Sequence, residues 1–270
     1  MRALLGATLL LASVSLARAA PQADPLASPM WNDMVERILD GGPVVFDDRV
    51  KVVVPSVVED QAQVPVTADA RALEGVETLV VFADLNPIQH VLTLNPAKAA
   101  AYVSFRMKVE QGTPIRAAAR TADGVWRVGG VYLDAAGGGC SAPAAAREKS
   151  DWHLSLGETN GKIWQAVDGS ARVRFRIRHP MDTGLTRDGI PAYYIERLVL
   201  SHADGTPLAS LDMFEPVSED PTLTVQVRLP GRDAAVDIEG RDTNGLVYKS
   251  RILASQDQSE AASSAGDPTP

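Results

Sequence analysis

The chain has 270 residues, 45% of them hydrophobic, with 34 acidic against 26 basic side chains and a net charge of −8. That is enough apolar material to bury a core without disulfides, and its single cysteine cannot form an intramolecular one. An acidic chain with scattered lysine and arginine lacks the electrostatic footprint of a nucleic-acid binder.

The first residues, MRALLGATLLLASVSLARAA, place Arg2 before an apolar run from Leu4 to Leu16 and end in the small-x-small step Ala17-Arg18-Ala19. This is the pattern of a secretory signal peptide over residues 1–20, too short for a mature membrane span. Cleavage after Ala19 or Ala20 would leave no cysteine at the new terminus, so the expectation is an exported protein without a lipid anchor.

After a short linker a helix is expected over Pro29–Asp40. Ser28 suits the N-cap, Pro29 the first helical position and Gly41 the stop, and Trp31, Val35, Ile38 and Leu39 form the apolar stripe. The period then changes to two. Val103, Phe105, Met107 and Val109 alternate with Ser104, Arg106, Lys108 and Glu110. Val173, Phe175 and Ile177 alternate with Arg172, Arg174, Arg176 and Arg178, and Leu223, Val225, Val227 and Leu229 with Thr224, Gln226 and Arg228. These are half-buried antiparallel strands.

Further strands are expected near Val50–Val54, Thr78–Phe82, Ile115–Arg120, Gly124–Leu133, Ile195–Ser201 and Ala235–Arg241. Turns fall at Asp123-Gly124, Asp204-Gly205, Pro230-Gly231 and Asn244-Gly245. Short strands with this punctuation predict an all-β protein of two antiparallel β-sandwiches with a short N-terminal helix. The boundaries are 28–136 for the first sandwich, 137–150 for a flexible Gly/Ala arm, 151–256 for the second sandwich and 257–270 for a disordered tail.

The chemistry on offer is sparse. His90, His153, His179 and His202 show no metal-ligand spacing, and no phosphate loop, dinucleotide fingerprint or nucleophile elbow is present. No catalytic residue, metal site or cofactor is assigned. The loop His179–Ala192 clusters His179, Asp182 and Asp188, but one loop of turn residues is poor evidence for a metal. Asp84, Asn86 and Pro87 read as an Asx-type strand end, with no catalytic role for His90. The arginine row on Arg172–Arg178 reads as a solvated strand face, with an anion site as the sharper option.

That leaves Cys140, in AAGGGCSAPAAA. Gly137, Gly138 and Gly139 are thin and conformationally free, so the segment reads as an arm able to carry an exposed thiol into a narrow cleft. Arg147 and Lys149 are several residues away, and an ordinary exposed thiol of pKa near 8.5 is only about 3% thiolate at pH 7. Such a group suits modification by other enzymes. An incidental cysteine in a linker is the bland alternative.

The stretch SFRMKVEQGTPIRAAARTADGVWRVGGVYLDAAGGGC resembles SoxY, the carrier subunit of bacterial sulfur oxidation. RFRIRHPMDTGLTRDGIPAYYIERLVLSHADGTPLASLDMFEPVSEDPTLTVQVRLPG resembles its partner SoxZ. The chain is therefore similar to SoxYZ-like fusion carriers, including those associated with quinoprotein dehydrogenases. The resemblance implies that the two antiparallel β-sandwiches are Ig-like, and that the protein is a periplasmic carrier, not an enzyme, with Cys140 as the covalent attachment point for a sulfur-containing intermediate. It makes sulfur-oxidation enzymes or a quinoprotein dehydrogenase system the partners. A departure is that Ser141, Ala142 and Pro143 follow the cysteine where the family arm ends. The competing reading is a non-covalent accessory protein for a periplasmic quinoprotein dehydrogenase.

Overall fold

A computed structural model describes residues 23–229 and 235–254. The expected signal peptide over residues 1–20, the Pro230-Gly231 turn and the tail 257–270 lie outside these residues. The elements begin with helix α1 (Trp31–Ile38), then β1 (Val44–Phe46), β2 (Lys51–Val53), β3 (Val64–Asp69) and β4 (Val76–Ala83). There follow β5 (His90–Asn95), β6 (Ala99–Met107), β7 (Thr113–Thr121) and β8 (Trp126–Leu133). The second half holds β9 (Thr159–Gln165), β10 (Ser170–Ile177), β11 (Ile195–His202), β12 (Pro207–Met213), β13 (Thr222–Arg228), β14 (Ala235–Asp242) and β15 (Val247–Leu253). The fold is all-β and Ig-like, with a single short α-helix among the described residues.

The two halves do not hang from each other by a linker. One nine-stranded sheet runs β1-β8-β7-β4-β5-β12-β11-β14-β15, and one six-stranded sheet runs β2-β3-β6-β13-β10-β9. Both pass from the first half to the second, at β5–β12 and β6–β13. Leu94 faces Leu211, and Val103 faces Val225, in antiparallel register. Joining edge strands in this way pairs backbone groups that two separate sandwiches would leave open. The alternating apolar residues of both sheets meet in one continuous core, from Val66, Leu92 and Phe105 through Phe175, Leu198 and Val225.

Helix α1 starts later than its capping signals suggest. Met30 occupies the N-cap without a side-chain bond, while Ser28 Oγ accepts the Met30 N–H at 3.3 Å. Its buried residues are Trp31 and Met34, and with the following Leu39 they pack on Val80, Phe82, Ala118 and Trp126, on the outer face of the nine-stranded sheet. That second layer explains why β4 and β7 are buried on both faces and show little alternation. Beneath it Arg116, 1% exposed, lies over the Trp31 ring at 4.4 Å and pairs with Asp84 at 2.9 Å and Asp24 at 2.8 Å. Asp84, expected only to end a strand, is one partner of this buried cation.

Candidate functional site

The site forms where two strands leave the same edge of the six-stranded sheet. β6 and β10 both pair antiparallel with β13, so their C-terminal ends point the same way. β6 stops at Met107, and the period-two reading, which kept Lys108 outward, fails there. The Lys108 N–H donates to Pro216 O at 2.7 Å and that of Val109 to Gln61 O at 2.8 Å. Lys108 and Val109 are both buried.

Lys108 Nζ donates to the carbonyls of Glu215 and Val217, each at 3.3 Å, and makes a further short bond to Met181 O. Three carbonyls of the second half thus neutralise one buried cation of the first. Burial still pushes the Lys108 amine down to about 8, against the pull of nearby acidic groups.

Asn86 supports the same corner. Its Nδ2 donates to Lys108 O and its Oδ1 accepts the Glu110 N–H, both at 3.0 Å. The arm lies along this ledge. The Gly138 N–H donates to Glu110 O at 3.2 Å and the Gly139 N–H to Val109 O at 3.0 Å. Here the glycines permit contact. A Cβ on Gly139 would sit 2.0 Å from Gln61 O, and one on Gly137, at φ +98°, 2.3 Å from Glu110 O.

Cys140 differs most from its expectation, being 0% exposed. Its thiol donates to Lys108 O at 3.6 Å. Glu110 Oε2 accepts the N–H groups of Cys140 at 2.9 Å and Ser141 at 3.0 Å, while Oε1 accepts the Ser141 hydroxyl at 3.0 Å. From the second half, Thr183 Oγ1 donates to Cys140 O at 2.6 Å. Burial, and then the Glu110 charge, push the thiol up to about 12, and Lys108 offsets this only in part. The docked group is a protected thiol. An extended segment free of partners was expected because local sequence does not show that Glu110 and Thr183 converge on it.

Beyond the thiol the chain stays attached. Glu219 accepts the N–H groups of Ala145 and Ala146 at 2.7 Å each, at the start of a 3-10 turn over Ala145–Glu148. Arg147 pairs with the buried Asp182, its Nε at 3.0 Å, and covers the Trp152 ring at 4.3 Å. So Arg147, too far to tune the thiol, instead ties the arm's far end to the loop that holds its near end. That loop is shaped by Met181 at φ +52°, whose N–H donates to His179 Nδ1 at 3.0 Å. No cluster of metal ligands occurs among the described residues. Lys108, Glu110 and Asn86 were not selected as site residues from sequence. The break in alternation at Met107-Lys108-Val109 was the available signal.

Residues 35–140 match the family described as sulfur oxidation protein SoxY, and residues 162–252 that described as sulphur oxidation protein SoxZ. The two domains define a sulfur-oxidation carrier, of families that work with sulfur-oxidation partner proteins. The chain belongs to the SoxYZ family and joins SoxY and SoxZ in one polypeptide. No curated protein sequence matches it. Among solved structures, the sulfur carrier protein SoxY from Chlorobium limicola f thiosulfatophilum aligns at 17% identity over 39% of this chain and 91% of its own, with a TM-score of 0.35. A β-glycosidase from Bacteroides vulgatus aligns at 12% identity over 77% of this chain and 25% of its own, with a TM-score of 0.23.

Proposed function

We propose that this is a periplasmic covalent carrier, in which Cys140 holds a sulfur-containing group as a thiol adduct and presents it to sulfur-oxidation enzymes. The chain supplies the thiol and the docking surfaces, and its partners do the chemistry. One observation carries the reading: the only thiol stands at the last residue of the SoxY match, on a glycine segment held to the body by polar contacts.

Those contacts are reversible. A hydrogen bond to a charged acceptor contributes about 1.5–3 kcal/mol and a neutral one about 0.5–1.5 kcal/mol, so the three bonds to Glu110 and the one from Thr183 hold the arm by roughly 5–10 kcal/mol, a cost that partner contacts offset. The docked thiol touches Lys108 O and has no solvent exposure, so a substituent on sulfur has nowhere to go. An anionic cargo would also face Glu110, and the same carboxylate could not then accept the Cys140 and Ser141 N–H groups undisturbed. Docking therefore belongs to the unloaded arm, and loading to the released one. Ser141 and Pro143 make the released arm a loop, so the partner cleft must admit a doubled strand.

Intact mass of the protein from native periplasmic extract, before and after reductant, tests this. A reductant-labile sulfur-containing mass on Cys140, with a mature N-terminus after Ala19 or Ala20, is the expected result. A bare thiol under every growth condition, together with wild-type behaviour of Cys140→Ser, defeats it.

A further inference from the structure

The outer face of the six-stranded sheet is cationic on a chain whose net charge is −8. Arg172, Arg174 and Arg176 of β10 all point outward and are exposed. In register, Arg174 faces Lys162 of β9 on one side and Thr224 of β13 on the other, and Thr224 in turn faces Ser104 of β6. Arg172 faces Trp164, and its guanidinium lies 4.4 Å from that ring, with Lys162 Nζ 5.5 Å from the same ring. Exposed Arg106 stands at the far end of β6.

Two carboxylates bordering this face are already engaged. Asp69 pairs with Arg71 at 2.6 Å, and Asp220 with Arg176 and with Arg178, the latter at 2.8 Å. Among the described residues, Lys162, Arg172, Arg174 and Arg106 have no carboxylate partner within ion-pair distance. Like charges directly opposite across a strand pair, as Lys162 and Arg174 are, destabilise a sheet.

We infer that this face is the docking surface for a partner protein presenting a cluster of carboxylates. The central positions between the cations are hydroxyl and amide groups, Thr224, Ser104 and Gln226, with an amphipathic ring at Trp164. That is a polar surface with one aromatic anchor, suited to a protein and lacking the apolar face a membrane-lying surface requires. The location gives it a use. β6 and β10 lead out of this face into Lys108–Glu110 and His179–Thr183, the two segments that clasp the arm. A partner seated on the cations lies beside the edge where Cys140 is released, and steering by opposite charge speeds that encounter. The docking claim does not depend on what Cys140 carries.

The full chain with a photo-crosslinking residue, Thr224→p-benzoylphenylalanine, is irradiated in its native cells, and the crosslinked species is identified by mass spectrometry. The expected product is one protein with an acidic surface patch. That protein, purified, is then titrated against the wild type, Arg172→Glu/Arg174→Glu, and a control, Arg120→Glu, on the other sheet. Affinity should fall at least tenfold in the double variant, stay unchanged in the control, and weaken as salt rises from about 50 to 300 mM. Arg172→Gln/Arg174→Gln repeats the test should the charge reversal impair folding, which melting curves report. Absence of a crosslink, a crosslink to lipid or to a second copy of the chain, or full affinity in the double variant overturns the inference.

Discussion

Thr183 of the SoxZ domain donates its hydroxyl proton to the carbonyl of Cys140, at 2.6 Å across 43 residues of sequence. With Glu110 of the SoxY domain binding the same residue through its N–H, the cysteine is held by one group from each domain.

This double clasp sets how fast the thiol can be reached. Glu110→Ala removes the acceptor of two N–H groups and one hydroxyl, and should raise the rate of maleimide labelling of Cys140 by at least about 100-fold. Thr183→Val removes one neutral bond and should raise it by about 2- to 10-fold. Labelling kinetics on folded protein, with unchanged far-ultraviolet circular dichroism, provide the check. Equal rates in all three proteins would mean that the clasp does not govern access.

The glycines are separable by the same assay. Gly139→Ala drives a methyl group to 2.0 Å from Gln61 O and should leave the arm undocked, with the thiol labelling like a free one. Gly138 has open space around its Cβ position but a φ of +91°, so Gly138→Ala meets backbone strain and no collision. Its effect should be the smaller of the two. A larger effect at 138 would show that conformational freedom, not close approach, is what docking needs.

Alkali should release the arm. Burial and then the Glu110 charge push the docked thiol up to about 12, well above the ordinary thiol range, so docking favours the protonated form. The contribution is complete below about 9 and is lost as pH climbs towards 12. Lys108 acts in the opposite direction, since an amine lowered to about 8 from 10.5 makes the folded state gain stability as pH rises between those values. The pH dependence of iodoacetamide alkylation at Cys140, read by mass, follows the cysteine alone, whereas absorbance near 240 nm would also report the five tyrosines. In Glu110→Ala the apparent pKa should fall towards 9, and an unchanged curve would contradict the assignment of the shift to the dock.

Acid should loosen the junction between the domains. His90 of β5 stacks on Phe214 at 4.0 Å, and burial lowers its pKa from 6.5 to about 4. Burial also lowers that of His179, to about 4, against the neighbouring Asp242. For both, the unfolded chain binds more protons in this window, so stability falls as pH drops from 6.5 towards 4. Denaturant midpoints across that range should fall less steeply in His90→Phe, which keeps a ring on Phe214 and loses the titrating group. A slope identical to the wild type would show that His90 does not contribute.

Cys140→Ser tests packing and function together. The thiol lies 3.6 Å from Lys108 O, and a serine oxygen on its shorter bond to Cβ falls outside hydrogen-bond reach, so the variant should fold and lose about 1–3 kcal/mol for the buried hydroxyl. It should carry no reductant-labile adduct. Thermal melts and intact mass report the two properties independently.

The sequence by itself determined the strand-rich character of both halves, because a half-buried strand must alternate, as β10 and β13 do. Turn pairs such as Asp123-Gly124, Asp204-Gly205 and Asn244-Gly245 also fell between successive strands, since these residues accept the turn backbone readily. The unique thiol on its glycines was equally legible. β4 and β7 were read as strands near Thr78–Phe82 and Ile115–Arg120 although helix α1 covers their second face; β5 and β12 alternate weakly and made no separate signal, while β3 alternates cleanly at Val64, Val66 and Ala68 and was missed. Only the tertiary structure decided that the sheets run through both domains and that Cys140 is docked. Both depend on residues distant in sequence: Leu94 meeting Leu211, and Glu110 and Thr183 meeting Cys140. A glycine segment has the same local sequence whether it swings free or lies against a carbonyl 2.0 Å from where its Cβ would be, and the difference is set by what the rest of the chain brings to it.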